Sequence, residues 1–139
     1  MSALHLTYPV NGEDFTRAGE ASSAVKKRLR KLGVSPEAIR KVAIALYEGE
    51  INMVIHANGG VIDVDVDPDK ICMTLKDTGK GIEDIEKAMQ EGYSTAPDEV
   101  RNLGFGAGMG LPNMKKYSDV MTIDSTVGVG TTIYMEVHL

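Results

Sequence analysis

The stretch that most constrains the fold is an almost unbroken apolar run from Val42 to Ile55, near the middle of the chain. Only Glu48, Glu50 and Asn52 interrupt its apolar or small residues. A helix formed here has little surface left for water, so it is predicted to lie against a sheet. At about 100° per residue, Glu48 and Asn52 share one face, whereas Glu50 points about 200° away and can be solvated.

Two interpretations of Glu48 and Asn52 are open at this point. A carboxylate and an amide on the wall of a core need partners, because burying them unpaired is costly. They are therefore either a satisfied structural pair or a site for a proton acceptor and a hard cation. Oxygen ligands suit Mg²⁺, which takes one or two side chains and leaves its other positions to water and phosphate. The remaining motifs must decide between the two.

The flanking sequence predicts an α+β fold, with helices on one face of a mixed or antiparallel sheet. In chain order the predicted elements are a strand at 4–8 that stops at Pro9, a helix with an apolar stripe from Phe15 to Leu32, the central helix opened by Ser35-Pro36-Glu37 and ended at 58–60, and hairpins at 61–77 and 119–138.

Composition narrows the class of protein. With 139 residues and 42% hydrophobic side chains the chain can bury one core, so a single domain over 1–139 is expected. A net charge of −5 argues against a nucleic-acid partner, and the basic run at 26–31 is either a solvated helix face or a docking patch for an acidic partner. No apolar segment approaches about 20 residues, so no membrane partner is expected. The single Cys72 is expected to be a small buried strand residue, and the cytoplasm is the default compartment.

A second polar site is predicted where the first hairpin ends. The period of two in the strand 71–77 carries Asp77 onto the same inward face as Ile71, Met73 and Leu75. A carboxylate there is tolerable if it accepts hydrogen bonds, and the amino group of a flat heterocycle is a suitable donor. The glycines that follow, in the run 77–82, suit a sharp turn or the close approach of a ligand. The alternative is an ordinary Asp-rich turn.

A third motif is a run of alternating glycines between 104 and 110, followed by Leu111 and Pro112, where a helix is predicted to start. Exposed N–H groups and the positive end of a helix dipole favour phosphate. A flexible linker is the alternative. No βαβ unit can be placed around the run and no GxxxxGK[ST] motif is present, which excludes the common dinucleotide-binding and P-loop motifs.

In combination these motifs resemble those of the GHKL superfamily of ATP-binding domains, which includes gyrase and histidine kinases. The matching segments, in the order found in the superfamily, are Glu48–Asn52 (E-x-x-x-N), Asp77–Ile82 (D-x-G-x-G-I), Gly106–Leu111 (G-x-G-x-G-L) and Gly130-Thr131-Thr132. Their joint occurrence is far more specific than any single motif. The segments 84–95 and 125–132 are most similar to the small bacterial anti-sigma-factor and switch-protein serine kinases.

The resemblance implies a two-layer α/β sandwich of the Bergerat type that binds ATP and Mg²⁺. It implies that Glu48 is the general base and that Asn52 ligates Mg²⁺. The implied nucleotide contacts come from Asp77, Gly79, Gly81, Ile82, Thr131 and Thr132 around the adenosine, and from Gly106, Gly108, Gly110 and Leu111 around the phosphates. Arg101 is either a cation for the terminal phosphate or a solvated loop arginine.

The function that the resemblance implies is a serine/threonine protein kinase acting on a small regulatory protein, either an anti-anti-sigma-like or a switch protein. A sigma factor is a further candidate partner, and homodimers are common in such families. Two other functions stay open: an ATP-dependent module that sequesters a partner without chemistry, and an ATPase that uses water. No segment resembles the dimerisation helices of a histidine kinase, so no phospho-accepting histidine is expected.

Overall fold

A computed structural model describes residues 4–12, 18–57, 59–79, 81–82, 89 and 110–139, apart from the side chain of His56. The helices and strands in these ranges are β1 (Leu4–Asn11), α1 (Glu20–Lys31), α2 (Pro36–Ala57), β2 (Gly59–Val66), β3 (Lys70–Lys76), α3 (Gly110–Lys116), β4 (Val120–Thr126) and β5 (Gly130–His138). This order confirms the predicted α+β fold.

The described strands form one antiparallel sheet of five strands in the order β1-β2-β3-β5-β4. The register pairs Val64 with Met73 and Met73 with Met135, so rows of buried side chains run across the sheet. These rows form one apolar cluster with buried residues of α1, α2 and α3. The predicted arrangement, with helices on one face, is confirmed, and the sheet is antiparallel rather than mixed.

Helix α2 begins as the sequence predicts. Pro36 is its first residue, and the Ser35 hydroxyl accepts a hydrogen bond from the Ala38 N–H at 3.3 Å. Gly49, in the helix interior, costs about 1 kcal/mol relative to alanine. The neighbour that requires it is a side chain rather than another backbone, because a Cβ on Gly49 would collide with Leu75 of β3. The glycine therefore brings α2 close to the strand that precedes Asp77.

Strand β1 is longer than predicted. It continues past Pro9 to Asn11, and Pro9 pairs with Val61 of β2. Proline lacks an N–H donor and is tolerated on an edge strand. Because β1 lies at the edge of the sheet, Pro9 does not end it.

Helix α1 is shorter than the predicted apolar stripe. It begins at Glu20, after Gly19 in a left-handed conformation with φ of 99°, and Phe15 lies outside the described residues. Leu29 is fully buried, but Leu32 follows the last helical residue and is 50% exposed. The stripe therefore ends one turn earlier than predicted.

Glu50, which the sequence allowed to be solvated, does not point into solvent. Its side chain is only 2% exposed. Its carboxylate accepts hydrogen bonds from the backbone N–H groups of Gly19 at 2.9 Å, Ala21 at 3.1 Å and Ser22 at 3.0 Å. The direction opposite Glu48 leads to the start of α1, where the exposed N–H groups and the helix dipole favour an anion.

The other face of the sheet is polar. On it, Tyr134 donates to the Glu136 carboxylate at 2.7 Å, and this hydrogen bond is the main reason that the pKa of Glu136 lies below its ordinary value. Cys72 lies on the same face, with its sulfur 3.3 Å from the Tyr134 hydroxyl oxygen. It is buried in a strand, which confirms the prediction.

None of the helices in the described ranges is long and apolar enough to cross a membrane.

Candidate functional site

Glu48 and Asn52 both turn toward α3. The Asn113 side-chain amide donates to Glu48 Oε1 at 3.3 Å. The Asn52 amide nitrogen lies 4.0 Å from the sulfur of Met114, which is within reach of a weak N–H···S contact. Both side chains are only partly buried. A carboxylate and an amide oxygen thus stand one turn apart beside the helix that follows the glycine run.

The last glycine of that run touches Asn52 directly. A Cβ on Gly110 would lie 2.9 Å from Asn52 Nδ2 and 3.1 Å from Asn52 Oδ1. Real Cβ atoms almost never come so close, so any side chain at this position would displace the Asn52 amide. The end of the third motif is therefore packed against the first motif, although 58 residues separate Asn52 from Gly110 in the sequence.

Asp77 lies at the end of β3 and is held by hydrogen bonds. Its N–H donates to the Thr131 carbonyl at 2.9 Å, and its Oδ1 accepts from the N–H groups of Gly79 at 2.9 Å and Thr131 at 3.2 Å. No described residue donates to Oδ2. The carboxylate is thus fixed through one oxygen, while the other keeps its capacity to accept.

The loop that follows Asp77 is anchored to the β4–β5 hairpin. The Ile82 N–H donates to the Ser125 hydroxyl at 2.7 Å, and this hydroxyl lies 2.8 Å from the Thr131 hydroxyl. Gly81 has a φ of 79°, and a Cβ on it would meet the Thr126 carbonyl oxygen at 2.5 Å. The second and fourth motifs therefore form one hydrogen-bonded cluster.

The α2 segment that carries Asn52 also lies near Asp77. A Cβ on Gly60 would lie 2.6 Å from Met53 Cε and 3.1 Å from the Asp77 Cα. Met53, the residue after Asn52, and the Asp77 backbone therefore both pack against Gly60. The residue that follows the first motif and the residue that opens the second therefore pack against the same glycine.

The remaining predicted residues fall into three groups. Thr131 faces the core side of β5, whereas Thr132 faces the polar side and pairs with Lys76 and Asp124. Leu111 is buried in the apolar cluster. Arg101, Gly106 and Gly108 lie outside the described residues.

Asn113 and Ser125 contact predicted site residues but were not themselves predicted to belong to the site. Their partners Glu48 and Ile82 lie 65 and 43 residues away in the sequence, so no local spacing could have indicated the contacts. The only signal was the position of Ser125 at the start of the 125–132 segment.

The donor set fits Mg²⁺ only together with phosphate. Among the residues that the structure describes, no group of three or more His, Cys, Asp or Glu side chains could hold a metal ion. The Asn52 amide oxygen is a hard ligand of the kind that Mg²⁺ accepts while it keeps waters and phosphate oxygens. The site therefore suits a nucleotide-bound Mg²⁺ rather than a metal held by protein alone.

The chain is similar in sequence to known proteins over most of its length. The profile of the family described as "Histidine kinase-like ATPase domain" matches residues 13–137. The anti-sigma F factor of Thermoanaerobacter sp. (strain X514) is 33% identical over 144 residues, with 100% of this chain and 94% of the relative covered. That of Caldanaerobacter subterraneus subsp. tengcongensis is 34% identical with the same coverage. That of Bacillus subtilis (strain 168) is 30% identical, with 98% and 92% covered.

A solved structure has the same fold. A chain from the crystal structure of the SiaB–SiaC complex of Pseudomonas aeruginosa aligns with a TM-score of 0.56 at 10% identity, covering 99% of this chain and 91% of that chain. At this identity the similarity concerns the arrangement of helices and strands, and it agrees with the α/β layers described above.

Proposed function

Because the chain belongs to the family of histidine kinase-like ATPase domains, we propose that it is an ATP-dependent serine/threonine protein kinase of the anti-sigma or switch type. Its substrate is a small regulatory protein. The observation that carries the proposal is the meeting of Glu48, Asn52 and Gly110 beside α3, next to the hydrogen-bonded Asp77–Thr131 cluster. The names of the similar anti-sigma F factors support the class of partner.

The base of the nucleotide is recognised by Asp77. Its Oδ1 is occupied by two backbone N–H groups, so Oδ2 is the atom that accepts from the adenine amino group. Guanine carries a carbonyl oxygen at the same ring position, which a carboxylate disfavours. Gly79 and Gly81 allow the adenosine to approach the backbone.

The phosphates and their cation would lie beside α2, next to Gly110. The resemblance to the superfamily assigns the backbone N–H groups of Gly106, Gly108 and Gly110 to the phosphates, with Arg101 as a further candidate. Asn52 would hold Mg²⁺ through its amide oxygen, and the ion would neutralise charge on the phosphates.

Glu48 is the general base. In the transfer step the acceptor hydroxyl oxygen of the partner forms a bond to the γ-phosphorus. The bond from that phosphorus to the β–γ bridging oxygen breaks, and its electron pair leaves with ADP. The hydroxyl proton passes to the Glu48 carboxylate, whose orientation the Asn113 amide sets in the structure described here.

The experiment compares Glu48→Gln with Glu37→Gln, an exposed glutamate on the same helix. Each protein is immobilised and exposed to source-cell lysate with ATP and Mg²⁺. The lysate proteins that it retains are then incubated with labelled ATP, and their phosphorylation sites are mapped. We expect transfer to a retained serine or threonine, a loss of about 100-fold or more in Glu48→Gln, and no loss in Glu37→Gln. Calorimetry should show ATP affinity within a few fold of wild type in both variants.

Three other results have distinct meanings. A partner retained with ATP but never phosphorylated supports the sequestering module, and phosphate release that needs no partner supports a free ATPase. Absence of both an ATP-dependent partner and a phosphoprotein overturns the kinase proposal.

A further inference from the structure

Ser125 lies at the junction of three segments of the proposed nucleotide site. It pairs directly with Thr131 across the β4–β5 hairpin. Its hydroxyl oxygen lies 2.7 Å from the Ile82 nitrogen, 2.8 Å from the Thr131 hydroxyl oxygen and 3.4 Å from the Gly130 carbonyl oxygen. One hydroxyl thus links the loop after Asp77 to the final strand.

Two assignments of the hydroxyl protons fit these distances. The Ile82 N–H can only donate, so Ser125 accepts there. The single Ser125 proton has two acceptors in range, and O–H···O hydrogen bonds span about 2.5–3.0 Å, which favours Thr131 at 2.8 Å over Gly130 at 3.4 Å. In the reverse assignment Thr131 donates to Ser125, and the Ser125 proton takes the 3.4 Å contact with the Gly130 carbonyl. Both assignments fit the protein alone. An acceptor placed beside the Thr131 hydroxyl favours the first, in which Ser125 donates to Thr131, because it exchanges the long contact for a hydrogen bond of ordinary length.

In the first assignment the proton of Thr131 is available to a ligand. The Thr131 side chain is 7% exposed, and apart from Ser125 no described residue lies within hydrogen-bond distance of its hydroxyl. Buried hydroxyl groups normally donate as well as accept. Thr131 lies beside Asp77, whose Oδ2 is an acceptor with no described donor. A donor and an acceptor next to each other complement adenine, in which an amino group and ring nitrogens that accept are neighbours.

We propose that Ser125 is a positioning residue for base recognition: it donates to Thr131 and so turns the Thr131 proton toward a ring nitrogen of adenine. The inference rests on the proposed nucleotide site and explains how that site recognises adenine. Where the ring nitrogen is N1, guanine presents a carbonyl and a ring N–H instead, the opposite pattern of donor and acceptor, so the Ser125–Thr131 pair strengthens the selection made by Asp77. Where it is N7, which accepts in both bases, the pair adds affinity, and the selection is made by Asp77 alone.

The experiment measures ADP binding by calorimetry in the presence of Mg²⁺, for wild type and for Ser125→Ala, Ser125→Thr and Ser125→Cys. Thr122→Ala, on the opposite face of the same strand, is the matched control. Ser125→Ala should bind ADP about 5- to 10-fold more weakly, the usual effect of one lost hydrogen bond. Ser125→Thr, which keeps the hydroxyl, should restore affinity, and Thr122→Ala should leave it unchanged. Ser125→Cys, a weaker donor of similar size, should be intermediate and serves if Ser125→Ala does not fold.

Deaza analogues separate positioning from anchoring of the loop. One of the two analogues, 1-deaza-ADP or 7-deaza-ADP, lacks the nitrogen that Thr131 meets. Wild type and Ser125→Ala should bind that analogue with equal affinity. An equal loss for ADP and for both analogues means that Ser125 only anchors the loop, which overturns the inference, as does unchanged ADP binding in Ser125→Ala. If wild type binds neither ADP nor ATP, the proposed function fails and this inference fails with it. If wild type binds ADP normally and Ser125→Ala prefers ADP over the deaza analogues by the same factor as wild type, the inference fails and the proposed function stands.

Discussion

At the scale of single residues, the two glutamates of α2 have separate tasks. Glu48 lies on the side of α3 and accepts from Asn113, whereas Glu50 lies on the side of α1 and accepts from three backbone N–H groups at its start. A buried carboxylate with three donors is well satisfied, and the positive end of α1 adds to its stability. Glu50 therefore joins the two helices through charge as well as through apolar contact.

The replacement Glu50→Gln tests whether the Glu50 carboxylate stabilises the contact between α1 and α2. The glutamine amide has one acceptor oxygen and places an NH₂ group against N–H donors, so the free energy of unfolding should fall by about 1–3 kcal/mol. Urea unfolding followed by circular dichroism measures it. Glu37→Gln, at a site 81% exposed, should change the free energy by less than about 0.5 kcal/mol. An equal, small effect of both replacements would contradict the role assigned to Glu50.

What could be predicted at this scale depended on local periodicity. Asp77 follows the alternation of its strand, and Glu48 and Asn52 follow the helical period, so their directions were visible in the sequence. The sequence allowed Glu50 to be solvated, because an angle around a helix does not reveal which element packs there. Asn113 could not be found, because its contact with Glu48 joins residues 65 positions apart.

At the scale of elements, β1 is attached to the sheet by a polar cluster as well as by its ladder. The His5 Nδ1 lies 2.6 Å from an Asp65 carboxylate oxygen, and its Nε2 lies 3.0 Å from the Thr7 hydroxyl and 3.3 Å from Asp63. The hydrogen bond to Asp65 is the main cause of a His5 pKa above its ordinary value of 6.5. Protonated His5 is thus favoured in the folded protein.

A raised folded pKa gives a stabilisation that is complete below about pH 6.5 and is lost as the pH rises through the folded value. Thermal unfolding of wild type and His5→Gln should therefore differ at pH 6 and converge at alkaline pH. In an Asp65→Asn background most of this pH dependence should disappear. A difference between wild type and His5→Gln that is the same at every pH would show that His5 acts through packing alone.

Elements were predictable where alternation was strong and the ends were marked. The hairpins followed from residues such as Ile62, Val64 and Met73, and Ser35 marked the start of α2. The extension of β1 past Pro9 was not predictable, because proline ends a central strand and is tolerated at an edge, and the place of β1 in the sheet emerges only from the complete fold.

At the scale of the whole molecule, the candidate site is assembled from segments far apart in the chain. Residues 48–52, 77–82, 110–114 and 125–131 lie on α2, after β3, on α3 and on the last hairpin. A nucleotide that contacts all four binds only the folded protein, so it stabilises the whole domain by mass action. The order of the motifs could be found in the sequence, but their convergence required the sheet to place the end of β3 beside the last hairpin.

Thermal unfolding with ADP and with GDP, each with Mg²⁺, therefore measures the site as a unit. At about 100 times its dissociation constant ADP should add about 2.7 kcal/mol, which raises the Tm of a domain of this size by roughly 8 °C or more. GDP at the same concentration should raise it far less, because its carbonyl oxygen faces the Asp77 carboxylate. Asp77→Asn keeps the Oδ1 acceptor but replaces Oδ2 with a donor. The replacement should therefore narrow the difference between the Tm increase with ADP and the increase with GDP. Equal stabilisation of wild type by ADP and GDP would remove Asp77 from base recognition.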